Sequence, residues 1–281
     1  MEATVAMLHC LLLILLLFLA VVIHTKEEPY CEKRSVDDGE WHSDWCEGDL
    51  QLGSERCNIE VRDSCDLTQE QFLEEYARRK TVIIRHPRDN DLFRDGCKRH
   101  NLLKNYGSKI IRLSSANTYS YKKVDTTLEH YINHLLNVQP SDTLGNETWY
   151  WFGDNNHTEW EGLFSLYQLP AFHLPGHEPA MSFGLAASGT GVPFHFHGPG
   201  FAEVIFGRKR WFLYPPDHVP AWDPDKSTRS WLEEEYPNLS EDSKPLECTL
   251  RPGELIYFPD RWWHATLNTQ TSVFVSTFLS P

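Results

Sequence analysis

Downstream of Pro179 the sequence is cut by Gly and Pro into runs too short for helices, and this constrains the fold more than any other feature. Eight β-rich runs are predicted there: Met181–Ala187, Val192–His197, Ala202–Phe206, Lys209–Tyr214, Leu246–Leu250, Glu254–Phe258, Trp262–Leu267 and Ser272–Phe278. Short strands at turn-marked intervals close on themselves, so the pattern predicts a double-sheet jelly roll or a small barrel. One interruption, Ser227–Tyr236, reads as a helical insertion. Upstream, Thr68 and Gln71 are spaced as a capping box ahead of an inward stripe of Phe72, Leu73, Tyr76 and Ala77. Strands are expected at Thr81–Ile84, Lys109–Leu113 and Trp149–Phe152, and a second capped helix from Thr127. The predicted class is therefore mainly β with α additions: a double-stranded β-helix over about 179–279, preceded by an α/β part from 66.

Within the β region sit Gly189-Thr-Gly-Val-Pro-Phe-His195-Phe-His197 and, 67 residues after His197, Pro259-Asp-Arg-Trp-Trp-His264. Two histidines at i and i+2 of a strand project to one face, so both imidazoles can reach the same ion. A third from a neighbouring strand completes one side of a metal site and leaves positions open for a ligand. The competing reading is packing or surface histidines in a chain that has 14 of them. Glu203, six residues beyond His197, is a fourth ligand candidate, because Gly189-x5-His195-x-His197-x5-Glu203 nearly reproduces a cupin spacing. Its alternatives are to point outward or to pair with Lys209 or Arg210. Trp262 and Trp263 read as packing that orients His264 rather than as an aromatic cage, and Asp154, Asn155 and Asn156 as an exposed loop or a barrel mouth.

From about Asp66 to Leu279 the chain resembles a JmjC-type, cupin-like domain of the Fe(II)/2-oxoglutarate oxygenase superfamily, closer to its small hydroxylase-like members than to histone demethylases. The resemblance rests on Val192-Pro-Phe-His195, Phe206-Gly-Arg-Lys-Arg-Trp-Phe-Leu-Tyr-Pro-Pro216 and Gly253-Glu-Leu-Ile-Tyr-Phe-Pro-Asp-Arg-Trp-Trp-His264-Ala-Thr-Leu-Asn268. It implies that His195 and His264 are metal ligands, that Lys209 pairs with the far carboxylate of 2-oxoglutarate, and that Thr277 on the last strand assists. On residue type alone Lys209 has another reading, a solvated base at a hairpin beside Gly207. The departure is at position 197, where the family has Asp or Glu and this chain has His. Replacing a carboxylate by a neutral imidazole raises the net charge of the site by one and tilts affinity from Fe(II) toward Zn, Ni or Cu.

The formal charge, 26 − 40 = −14, excludes simple polyanion binding, so no nucleic-acid partner is expected. Val5 to Ile23 is apolar except for His9 and reads as a secretory signal peptide or signal anchor over 1–25, with membrane anchoring left open. Residues 26–65 read as an acidic, cysteine-containing linker, with Trp41 and Trp45 either on a tethered tail or in an adhesive patch. Sequons at Asn146, Asn156 and Asn238, and six cysteines beyond Cys10, agree with export to the endoplasmic reticulum lumen or secretory pathway. Two functions compete. One is an active Fe(II)/2-oxoglutarate protein hydroxylase; the other is a lumenal regulatory or binding protein with a degenerate His-x-His…His site, acting on a protein partner in signalling or interaction and existing as a monomer or a homo-oligomer. His197 favours the second, and retention of His195, Lys209 and His264 favours the first.

Overall fold

The computed structural model describes residues 37–41, 56–140 and 142–281; the N-terminal apolar run, Cys31, Trp45 and Cys46 fall outside them. Among the described residues twelve strands are formed: β1 Val61–Asp63, β2 Val82–Arg85, β3 Ile110–Ser115, β4 Lys123–Thr127, β5 Trp149–Phe152, β6 Glu178–Ala186, β7 Gly200–Phe206, β8 Lys209–Tyr214, β9 Leu246–Leu250, β10 Glu254–Phe258, β11 Trp263–Asn268 and β12 Ser272–Ser280. Nine make one sheet in the order β1-β2-β10-β7-β12-β6-β5-β3-β4, and three make a second in the order β11-β8-β9. The helices are α1 Gln69–Glu75, α2 Asp91–Gly96, α3 Arg99–Tyr106, α4 Leu128–His130, α5 Glu161–Phe164 and α6 Thr228–Glu234.

Side chains alternate across a strand, so each central strand sorts its residues between two environments. On the inner face of the large sheet, Ala202, Val204, Ile256 and Phe258 meet Trp211, Leu213 and Leu250 of the small one. On the outer face, Phe201, Leu255 and Tyr257 pack under Phe72 of α1, while Phe183, Val273 and Val275 pack with Phe93 of α2 and Phe164 of α5. Strand β7 is buried along its whole length because both faces are covered. The capping box forms as expected: Gln71 N–H donates to Thr68 Oγ1 at 3.2 Å and Thr68 N–H donates to Gln71 Oε1 at 2.9 Å.

Two expectations need correction. The folded part begins before Asp66. Trp41 is buried and its indole N–H donates to the Cys97 carbonyl at 3.1 Å, Arg94 reaches the Asp37 carbonyl at 2.8 Å, Cys57 is disulfide-bonded to Cys248, and β1 runs parallel to β2. The solvated-linker reading of 26–65 therefore does not hold for 37–41 and 56–65, where apolar and covalent anchors outweigh the acidic composition. Cys65 and Cys97 are free thiols. Second, Val192–His197 is not a regular strand. It runs beside β11 through Thr266 N–H to the Val192 carbonyl and a reciprocal pair between His195 and His264, so three steps of chain oppose two of β11. Pro193 has no N–H to donate, and a bulge absorbs the extra residue.

Candidate metal and anion site

The sheets converge on a cavity of about 490 Å³, counting its open mouth. His264 lies on β11, with its even-numbered neighbours Thr266 and Asn268 also facing in. His195 and His197 lie on the bulged segment held against β11. Gly191 permits that close approach: a Cβ there would sit 1.8 Å from the Thr266 carbonyl oxygen. The three imidazoles offer ligand atoms within 4.8 Å of one another, and they are the one such group of three or more metal-ligating side chains among the described residues.

Backbone carbonyls fix each ring. His195 Nδ1 is 2.8 Å from the Pro193 oxygen, His197 Nδ1 is 2.8 Å from the Gly198 oxygen, and His264 Nδ1 is 2.9 Å from the Trp262 oxygen. A carbonyl can only accept, so each Nδ1 carries the proton and each Nε2 keeps a free lone pair. Burial lowers all three pKa values: His195 to about 4, His264 well below its ordinary value with His195 and His197 adding to the effect, and His197 in the same direction. Three neutral rings with Nδ1 occupied and Nε2 free form a donor set that fits a divalent ion.

An anion fits beside it. Lys209 on β8 is buried, donates to Asn268 Oδ1 at 3.1 Å, and lies 3.9 Å from the Phe274 ring centroid. Burial alone pushes its pKa down to about 7, the mark of an ammonium without a facing carboxylate. Asn268 Nδ2 is committed to Thr190, which fixes the amide with its oxygen toward Lys209. Trp211, stacked on Phe258 and His264, lines the same cavity, and its buried Nε1 has no hydrogen-bond partner. A buried cation in an apolar cavity suits a small carboxylate ligand.

Glu203 and Thr277 are placed elsewhere. Thr277 alternates on β12 with Ser276 and Phe278, which line the cavity, and Glu203 alternates on β7 with Ala202 and Val204, which face the small sheet, so both point to the outer side of the large sheet. Glu203 is 4% exposed, accepts from Tyr167 Oη at 2.8 Å and from Asn90 Nδ2 at 3.3 Å, and is raised to about 7 by burial. It is neither a metal ligand nor a partner of Lys209 or Arg210. Thr277 lies beside Tyr167 on that side, and Ser276 takes the cavity-facing position. The signal that could have found Ser276 is period-two alternation, but Ser272–Phe278 mixes apolar and hydroxyl residues on both faces and its phase is not readable. Trp262 is buried and turns His264 through its carbonyl, as expected of a packing residue. Among the sequons, Asn156 and Asn238 are exposed, whereas Asn146 is half-buried and its Thr148 is buried.

The comparisons agree with this geometry. A model of the Cupin-like domain matches residues 66–279. JmjC domain-containing protein 8 of Rattus norvegicus is 56% identical over 228 residues, 81% of this chain and 84% of that protein. The Homo sapiens protein of the same name is 55% identical over 225 residues, 80% of this chain and 84% of its own length. At greater distance, the bifunctional arginine demethylase and lysyl-hydroxylase psr-1 of Caenorhabditis elegans is 24% identical over 286 residues, 91% of this chain and 68% of that protein. With its jelly roll, its clustered histidines and these matches, the chain belongs to the JmjC-type, cupin-like domain family.

Proposed function

We propose that the chain is a lumenal regulatory protein that binds a protein partner, and that its JmjC-type cavity holds a divalent metal and a small carboxylate without carrying out demethylation. The observation that supports this reading is the donor set. Position 197 supplies an imidazole, and no Asp or Glu joins the three histidines among the described residues. Glu203, the residue whose spacing offered a substitute, is committed to Tyr167 and Asn90 on the other side of the sheet. A site of three neutral ligands lacks the anionic oxygen of the two-His-one-carboxylate iron oxygenases. His195, His197 and His264 would hold the ion through Nε2, and Lys209 would pair with one carboxylate of the ligand. A bound divalent ion supplies Lewis acidity and, if it is iron, the means to activate oxygen. Phe274 and Phe278 supply apolar lining, and Asn268 keeps the Lys209 ammonium in place.

The partner reading draws on the rim. Phe196, between two of the histidines, is 49% exposed and lies 4.7 Å from the Trp263 ring, next to the third. The exposed Phe196 and the half-buried Trp263 form an aromatic pair continuous with the segments that carry the histidines. Large exposed aromatics of this kind are typical anchors of protein interfaces.

The second reading, a 2-oxoglutarate-dependent protein hydroxylase, is favoured by the same pre-set imidazoles and by the unpaired Lys209. Turnover separates the two. The purified domain, loaded with Fe(II) and supplied with 2-oxoglutarate and oxygen, is expected to release no succinate. Steady succinate release that stops in the His264→Ala variant would establish the hydroxylase and refute the regulator. Export is tested by an endoglycosidase shift of the full chain: a faster-migrating band is expected, and an unglycosylated cytosolic product would overturn it.

A further inference from the structure

Arg229 stands where a cation gains least from its helix. Ser227 caps α6 by accepting from the Ser230 N–H at 3.1 Å, so Arg229 lies in the first turn, at the positive end of the aligned backbone dipoles. Its side chain is nonetheless only 12% exposed and fully committed: Nε donates to Glu233 Oε1 at 2.9 Å, and Nη1 donates to the Gln139 carbonyl. Gln139 belongs to the segment between α4 and β5, 90 residues away in sequence. The contact is with its backbone, so it fixes the path of that segment rather than a rotamer.

Gln139 is pressed in turn against the loop that bounds the anion site. Its N–H donates to the Ser188 carbonyl at 3.0 Å. Gly189 has φ +81°, and a Cβ there would sit 2.7 Å from the Gln139 carbonyl oxygen, so the atom that Arg229 holds is the one for which Gly189 leaves room. Beyond this joint, the Gly189 N–H donates to the Asn268 carbonyl at 2.8 Å, and the Asn268 N–H donates to the Thr190 carbonyl at 2.7 Å. Asn268 Nδ2 donates to the Thr190 carbonyl and hydroxyl at 3.1 and 3.0 Å. These last two bonds keep the amide oxygen on the Lys209 ammonium, 3.1 Å away. Turned over, the amide would present its own donors to the cation. Ser188, Thr190 and Asn268 are all buried, so a bond lost among them is not readily replaced by water.

We propose that Arg229 is a positioning residue for the anion site: through the Gln139 backbone it seats Gly189 and Thr190, which set the Asn268 amide and with it Lys209. This rests on the carboxylate-binding reading above. Neither Arg229 nor Gln139 lines the cavity, so the influence passes through the backbone joint and not through contact with the ligand. The histidines have their own anchor, the reciprocal bonds between His195 and His264, so the anion site depends on Arg229 and the metal site does not.

Calorimetric titration of 2-oxoglutarate into the Zn(II)-loaded full chain, with zinc content measured on the same samples, tests this. Arg229→Met is expected to weaken 2-oxoglutarate binding about tenfold while zinc content stays at the wild-type level. Arg229→Lys, which keeps a donor for the Gln139 carbonyl, should bind within about threefold of wild type. Glu233→Gln, which leaves that donor in place, should bind as wild type does. Gly189→Ala, which drives a methyl group against the same carbonyl, should weaken the ligand as Arg229→Met does. Wild-type affinity in Arg229→Met, even beside a lowered melting point, would make Arg229 a purely structural residue and overturn the inference. So would a loss of zinc in step with the loss of affinity. A wild type that takes up zinc and ignores 2-oxoglutarate would instead overturn the carboxylate reading, and this inference with it.

Discussion

Lys209 and Arg210 are neighbours on β8, both buried, and they face opposite sides of the small sheet. Arg210 donates through Nε to Glu247 Oε2 at 3.0 Å and through Nη2 to the same oxygen, and the other Glu247 oxygen takes Tyr236 and Arg56. Lys209 has an amide oxygen and an aromatic face, and no carboxylate. One buried cation is completed by a carboxylate within the protein; the other has none facing it. An ionised group left unpaired in a low-dielectric site works against folding, so its presence is better explained by a ligand than by stability.

The contrast can be broken most forcefully from the Arg210 side. Replacing Glu247 by Ala removes the carboxylate facing a buried guanidinium and is expected to cost about 3–5 kcal/mol, read from urea melts; a loss under 1 kcal/mol would show that the pair is dispensable. A third buried charge, Glu203, makes the comparison pH-dependent. Its folded-state pKa of about 7 exceeds the ordinary 4.5, so the protonated form is favoured on folding. Its contribution is full below about 4.5 and is lost as pH rises through 7, on the order of 3 kcal/mol at most. The Glu203→Gln variant should flatten that slope, and an unchanged pH profile would refute the assignment. For the Lys209 side, 2-oxoglutarate at a hundred times its dissociation constant should stabilise the metal-loaded wild type by about 2.7 kcal/mol and Lys209→Met not at all. The smallest effect is the inverse one. Without metal or anion, Lys209→Met should be more stable than wild type by about 1 kcal/mol in urea, and a loss instead would make Lys209 a structural residue.

Much of this was readable in the sequence wherever local chemistry decides structure. Thr68 and Gln71 cap α1 because capping is settled within four residues, and β8, β9 and β10 fall where the apolar runs and turns put them. Edge strand β4, Lys123–Thr127, gave no signal, because an exposed edge can be polar throughout. The facing of Glu203 and Thr277 could not be read for a related reason. On strands buried on both faces, hydrophobicity no longer marks the phase, and a slip of one residue moves a side chain from the cavity to the opposite core. The three histidines needed no phase on such a strand: two are held by a bulge against β11 and the third lies directly across from it. The anion site was legible only as Lys209. Trp211 and Ser276 join it through sheet pairing, which one sequence does not display.

The central claim is that three imidazoles, without a carboxylate, hold a metal ion. Elemental analysis of the folded domain purified in the presence of Fe(II) and Zn(II), wild type beside His264→Ala with folding checked by circular dichroism, tests it most directly. One divalent ion per chain in the wild type, and close to none in the folded variant, is the expected result. A metal-free wild type, or equal metal in both proteins, would contradict the account.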